Sequence, residues 1–498
     1  MINNTTAIID IGSNSARLVI YEASSEYGFH LICEKKSKVR IGEGAYEKGG
    51  YLQPIGIKRA YFALKEFIDT IKLYPVTKTI CVATSALRDA PNGSDFTKWI
   101  KEKLNLDINI IDGKEEAKFG AIAGLNLLPI RNGITIDIGG GSSDLALIKD
   151  SKIIDTYSIN LGTVRLKELF FDKNRPIQEA KEFIYQELEK VPKIFKKAQA
   201  IGIGGTARTL AKAIMKKEEY PLDKLHAFSY KIKNHIEYFS NITIANKSLL
   251  PYLYIPKARF DTIREGTLIL ISILEHIGAK EIITSGVGVR EGVFLQDFLK
   301  DKNCQFPKDI NPSIVSILDR FKTHSIHTDR AKISGKAIFE LFKKDKKVKS
   351  KYLKTLIHAI EITPIGYTFN IYKSYQHAFY ATMQEFNYRV THKEIILTAL
   401  LLRFGGKGLY EKELYKKYKI LLPHKKELEI LSFIYSISIS LHENSSIKDF
   451  DFSLEENNLI IKADNSLYLA KEKLKEIERP EGIGLEIIDK ELLPEYNF

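Results

Sequence analysis

Three cysteines in 498 residues are too few for a disulfide framework, and Cys33, Cys81 and Cys304 show no metal-ligand spacing. Cys33 and Cys81 lie in apolar, strand-like runs and read as core thiols, a usage that suits the reducing cytoplasm. No apolar run is long enough to span a bilayer, and the N-terminus has no basic stretch followed by an apolar core. A membrane partner and a secretory leader are therefore not expected. The Gly-Lys-Ser/Thr of a Walker loop, the spacing of a dinucleotide fingerprint and any clear purine-clamping motif are missing too. Acidic residues are in the minority, 62 against 75 basic, and the net charge of +13 favours a polyanionic partner: nucleic acid, anionic membrane or a phosphate polymer. With 44% hydrophobic and 28% charged residues the chain is globular, and its length accommodates two to four domains.

What the chain does have is a repeated phrase. From Ile134 to Ile148 two β-branched runs are joined by glycines, with Asp137 before the joint and Asp144 after it. Such a pattern reads as two paired strands, and Gly139, Gly140 and Gly141, followed by Ser142, let backbone N–H groups approach an anion closely. Asp137 and Asp144 then stand at the hairpin rim. Carboxylates beside a phosphate cradle require a cation such as Mg²⁺ or another divalent ion between them, so the stretch reads as a metal-phosphate site. The same wording, Asp-Ile-Gly-x-x-Ser-x-x-Leu, occurs once before, from Asp10 to Leu18. There the joint carries Ser13, Asn14 and Ser15 as donors, and Arg17 takes the place of Asp144. A repeat of this kind implies a duplicated domain, one copy suited to grip an anion and the other to hold metal.

Further segments follow the same logic. A buried strand at 79–83 delivers Thr84 to Ala90 onto a loop, where Arg88 could clamp a phosphate bidentately or simply face solvent. A short strand ends before Asp112, and Glu115 and Glu116 open the helix that runs to about Leu127. At Gly204-Gly205-Thr206 a strand, a glycine turn and a helix start follow in sequence, an arrangement that offers N–H groups to phosphate. Ser285 to Gly292 closes the series, with glycines read first as packing positions.

Taken together, these motifs resemble the exopolyphosphatase and guanosine pentaphosphate phosphohydrolase family, densely over residues 5–300. The resemblance implies an α/β fold of duplicated actin-like, ribonuclease-H-like ATPase lobes, followed by a helical HD-like domain and a small α/β cap. The expected domains are 1–130 for lobe I, 131–305 for lobe II, 306–440 for the helical domain and 441–498 for the cap. It implies that Glu116 is the general base, with Glu115 a dipole-compensating neighbour, that Arg88 lies near the site, and that Gly204, Gly205 and Thr206 form a phosphate-binding loop. Mg²⁺ would be held through Asp137, Asp144 and Asp10. The expected reaction is release of terminal phosphate from inorganic polyphosphate; hydrolysis of guanosine pentaphosphate in the stringent response, or binding of either without hydrolysis, are the alternatives. Nucleic acid is disfavoured as a partner, and a homodimer is the commonest assembly. The position of the HD metal pair falls on Thr363-Pro364, and His324, His327, His358 and His377 are scattered without carboxylate partners, so no catalytic metal is expected in the helical domain. Lysines crowding 343–354 and 416–426 are expected to form a basic track for long phosphate chains or a solvated face.

Overall fold

The computed structural model describes residues 4–490 apart from 46–47, 197, 324–325, 406–407 and 448; His324 and the last stretch of the expected cap, 491–498, thus lie outside the described residues. Two compact units divide at Pro312/Ser313. Among the described residues no helix is long and apolar enough to cross a membrane.

The first unit contains two sheets that repeat one plan. Strands β1 (Asn4–Ile11), β2 (Ala16–Ala23), β3 (Phe29–Ser37), β4 (Lys78–Ala83) and β5 (Asn109–Ile110) form a sheet of order β3-β2-β1-β4-β5. The second sheet comprises β6 (Gly133–Ile138), β7 (Ser143–Lys149), β8 (Lys152–Ile159), β9 (Ala200–Ile203), β10 (Ser229–Lys231) and β11 (Glu281–Thr284). Its order is β10-β11-β9-β6-β7-β8. Read from the β3 and β8 edges, the two sheets match strand for strand: an antiparallel meander of three, then two parallel strands reached through helical crossovers. Strand β10, which pairs antiparallel with β11, is the addition, and it had no clear alternation to announce it. Sequence identified the others, except that β3 stops at Ser37 rather than continuing to Ile41.

The β-branched runs account for the strands. Ile9 and Ile11 in β1 and Ile134, Ile136 and Ile138 in β6 point into the two main cores with almost no exposure, and neither face of either central strand is open to water. Helix Gly113–Leu127 leaves the first sheet but buries Ala117, Ala121 and Leu125 against Ile201 and Ile203 of the second. Helix Val289–Phe298 leaves the second sheet and stacks Phe294 on Tyr21 of the first, ring centroids 4.4 Å apart, beside Phe29 and Phe298. Where these two helices cross, a Cβ on Gly292 would lie 1.9 Å from the Phe119 carbonyl oxygen. Only glycine allows that approach.

The second unit is mainly helical, with helices Ile326–Lys344, Leu353–Ile362, Ser374–Glu385, His392–Phe404 and Lys425–Glu443. Its small sheet, β12 (Asp451–Glu455), β13 (Asn458–Lys462) and β14 (Gly484–Ile488), includes the expected hairpin and a third, parallel strand. His358 is buried against the edge of Phe386, and burial pushes its pKa down to about 3. His442 contacts Ser334 Oγ at 2.8 Å. Several of the crowded lysines are neutralised locally: Lys343 by Glu340, Lys347 by Asp345, Lys349 by Glu427 and Lys425 by Glu429.

Because alanine is the better helix former, Gly292→Ala would raise stability at an unconstrained site by up to about 1 kcal/mol. Here the buried clash predicts the opposite, a loss of about 3 kcal/mol in urea unfolding of the first unit. An unchanged midpoint would show that the two helices do not cross this closely.

Candidate active site

The two hairpins present equivalent turns. Gly12 N donates to Ser15 O at 3.1 Å, and Gly139 N donates to Ser142 O at 2.9 Å. In register, Asp10 lies opposite Arg17 and Asp137 opposite Asp144, so the sequence repeat is also a repeat of geometry. The turns meet directly: a Cβ on Gly140 would fall 2.7 Å from Ser13 Cβ. The second turn is also pinned from outside, its carbonyls at Gly139 and Gly140 accepting from Thr163 N and Val164 N at 3.0 and 2.9 Å.

Above this junction opens a cleft of about 500 Å³. Its walls include Asp10, Ser13, Asn14, Ser15 and Arg17 from the first hairpin, Asp137, Gly139 and Gly140 from the second, Glu116, and the turn Gly204-Gly205-Thr206. That turn is the first turn of helix Gly204–Lys217, so its backbone N–H groups and the helix dipole favour an anion there. Gly204 has φ +76°, and a Cβ on it would lie 2.2 Å from Asp137 Oδ1. Glycine here is what lets the carboxylate of Asp137 sit beside the phosphate-facing turn.

Four expected residues do not reach the cleft wall. Arg88 donates through Nη1 to Ile111 O at 3.1 Å and to Glu116 Oε2 at 3.3 Å, so it is engaged with Glu116 beside the cleft. Gly141 accepts from Arg165 Nε at 3.0 Å, and Ser142 is buried. Asp144 is only 2% exposed and is no rim residue: Oδ1 accepts from Ser158 Oγ at 2.5 Å and Oδ2 faces Ser142 Oγ at 3.5 Å. Among the described residues no three Asp, Glu, His or Cys side chains are arranged as a metal cluster. Asp137 and Asp144 are opposite each other in the ladder and share a face of the sheet; Asp10 and Asp137 line the cleft, whereas Asp144 lies deeper, its carboxylate between Ser142 and Ser158.

Electrostatics mark the place. Burial raises the pKa of Glu116 well above the ordinary carboxylate value, with the negative charges of Asp144, Asp137 and Asp10 adding to it and Arg88 opposing it. Burial likewise pushes Asp137 to about 6, against the pull of Arg208, and Asp144 to about 7 despite the Ser158 hydrogen bond. Asp10 is raised by burial, with Arg290 and Arg17 opposing. Arg290 contacts Glu34 at 3.2 Å and Glu291 at 3.9 Å, and Glu291 accepts from Gly288 N at 2.7 Å and Tyr21 Oη at 3.0 Å. Burial works against the Glu291 anion, but Arg290 and Arg208 outweigh it and its pKa falls.

Several cleft cations had not been singled out from sequence: Lys36 and Lys38 from the end of β3, Lys212, and Arg259. Lys212 was detectable, since Arg208 and Lys212 are four apart on the helix that begins at Gly204 and share its face. Lys36 comes into place because it lies opposite Arg17 in the β2–β3 ladder, a register that no motif encodes. Arg259 is placed by a 3.1 Å bond from its Nε to Thr209 Oγ1, and its guanidinium covers Gly205 so closely that a Cβ there would lie 1.7 Å from Nη2. Burial and the charge of Arg17 lower the pKa of both Lys36 and Arg259, the signature of cations crowded without their anion.

The profile of the Ppx/GppA phosphatase family matches residues 19–301. A bifunctional 3-dehydroquinate synthase/phosphatase of Fusobacterium nucleatum is 33% identical over 304 residues, 57% of this chain, and the chain spans only 45% of that protein's length. A guanosine-5'-triphosphate,3'-diphosphate pyrophosphatase of Aeromonas hydrophila is 25% identical over 75% of both chains. Among solved structures, the Aquifex aeolicus Ppx/GppA family member covers 60% of this chain and 99% of its own at 28% identity and a TM-score of 0.52. An exopolyphosphatase from Cytophaga hutchinsonii, 22% identical over 61% of this chain and 100% of its own with a TM-score of 0.55, shares the fold.

The raised pKa of Asp144 makes a signed prediction. The folded state holds this proton more tightly than the unfolded chain, so its contribution to stability is full below about pH 3.8 and is lost as pH rises through about 7. Asp144→Asn keeps the oxygen that accepts from Ser158 and removes the buried charge. Without divalent cations, the variant should match the wild type at pH 4 and exceed its unfolding free energy by on the order of 2–4 kcal/mol at pH 8. A gap that narrowed with rising pH would contradict this electrostatic assignment.

Proposed function

The chain belongs to the Ppx/GppA phosphatase family, and from that premise we propose that it hydrolyses the terminal phosphoanhydride bond of inorganic polyphosphate in the cleft between lobes I (1–130) and II (131–305). One observation carries this reading: the cleft wall brings Glu116, fixed by Arg88, together with two glycine-turn hairpins and a helix N-terminus. A base held above its ordinary pKa beside anion-binding turns is the combination that water attack on phosphorus requires.

In this reading the N–H and hydroxyl groups of Ser13, Asn14 and Ser15, the Gly139–Gly140 turn and the Gly204–Thr206 turn hold non-bridging oxygens of the terminal phosphate. Glu116 accepts the proton of a water whose oxygen attacks phosphorus, and the bridging P–O bond opposite it breaks. The charge left on the departing chain lies among Arg17, Lys36, Arg208 and Arg259, which had been repelling one another. Asp10 and Asp137, both on the cleft wall, fit Mg²⁺ held by one or two carboxylates with its other positions left to water and phosphate. Such an ion, when bound, neutralises charge on the phosphate oxygens and lowers the pKa of the carboxylates that hold it. The three unpaired cysteines accord with the cytoplasm as its compartment.

Guanosine pentaphosphate is the second reading, favoured by the resemblance to the Aeromonas pyrophosphatase over three-quarters of both chains. Phosphate release from long-chain polyphosphate and from guanosine pentaphosphate, measured side by side with and without Mg²⁺, separates the two. The expected result is Mg²⁺-dependent release with the higher kcat/KM on polyphosphate. Glu116→Gln should lower kcat by about 10²–10⁴-fold with little change in KM. Wild-type turnover by that variant would remove Glu116 from the role of base.

A further inference from the structure

The cleft has a neighbour that no motif announced. Between the end of β3 and helix Pro54–Ile71 runs a groove of about 670 Å³. Lys36 and Lys38 belong to its wall and to the wall of the cleft, so the two cavities meet at these side chains. Beyond them the groove adds Lys35 from the strand and Lys58 and Arg59 from the helix, against a single acid, Glu66. Arg59 is engaged with Glu43 at 2.6 Å. Lys35, Lys36, Lys38 and Lys58 have no ion pair among the described residues.

We propose that this groove is a second binding stretch for inorganic polyphosphate, taking the units that follow the terminal ones as the chain leaves the cleft past Lys36 and Lys38. The inference rests on the reading of the cleft as a phosphoanhydride site. Unpaired cations lining a continuous path are costly to hold together and are relieved by a ligand with a regularly repeated negative charge. Polyphosphate provides that charge at any distance from its end. Guanosine pentaphosphate presents only three phosphates before its nucleoside, so its charge ends near the shared lysines. Exposed Ile55 and Phe62 on the groove's helical wall offer a face to a nucleobase, which makes single-stranded RNA the competing occupant and an arm of the test.

The test uses the full-length protein and the double variant Lys35→Ala/Lys58→Ala, whose residues line the groove but not the cleft. Equilibrium binding of long-chain polyphosphate, tripolyphosphate and a single-stranded RNA is measured with phosphate release recorded in parallel. The expected result is long-chain affinity that exceeds tripolyphosphate affinity in the wild type, with that ratio falling roughly tenfold in the variant. The dependence of long-chain binding on salt should become shallower, and Lys35→Arg/Lys58→Arg should restore both. An unchanged ratio overturns the groove, and so does a variant that loses RNA binding while keeping long-chain polyphosphate. Long-chain binding that responds to the variant without any phosphate release keeps the groove and removes the hydrolase reading, so the two fail separately.

Discussion

Burial of like charges is the constraint on which the site depends. Asp10, Glu116, Asp137 and Asp144 act on one another electrostatically where water has largely been removed, and each is harder to ionise than in solution. An arrangement of this kind relaxes unless covalent geometry and packing hold it. Here they do: Asp10 and Asp137 are on central strands, Glu116 on the first turn of a helix capped by Asp112, and Asp144 between two serines. The arginines around the carboxylates divide their work. Arg88 and Arg290 hold acids in position, whereas Arg17 and Arg259 crowd other cations and remain undercompensated. A phosphate group entering such a cleft relieves stress on the cationic side, and a divalent ion relieves it on the anionic side.

Much of this was legible in sequence because the hairpins are local. A glycine turn between β-branched runs specifies its own geometry, and both copies of the phrase fold into the same turn with the same hydrogen bond. The presence of Glu116 at the start of a helix beside the cleft and the helix start at Gly204 were also recoverable. Depth and register were not legible. Asp137 and Asp144 stand opposite each other and share a face, but Asp137 reaches the cleft wall while Asp144 is buried between Ser142 and Ser158, a difference in depth that the phrase does not encode. Arg88 was expected near the site and is there, but its contact with Glu116, 28 residues later, left no trace in the sequence. Lys36 and Arg259 depend on strand register and on an irregular loop, and neither leaves a periodic trace.

The distribution of ion pairs among the lysines is likewise a property of the fold. In the second unit Lys343 and Lys425 are satisfied by acids three and four residues away on their helices, Lys347 by Asp345 and Lys349 by Glu427. In the first unit Lys35, Lys36, Lys38 and Lys58 are brought to one groove by an edge strand and the helix beside it. Net charge states how many cations there are; only the fold states which of them are unanswered.

The exchange of helices between the two sheets bears on how the protein could have arisen and diverged. Each half supplies the helix that closes part of the other's core, with Gly292 packed on Phe119 at the crossing. A chain split at the boundary of the repeat would leave each sheet without a covering helix and both helices without their sheets. The two copies therefore pack as one interlocked body, and the places that can change without disturbing the exchange are loops, edges and appended domains.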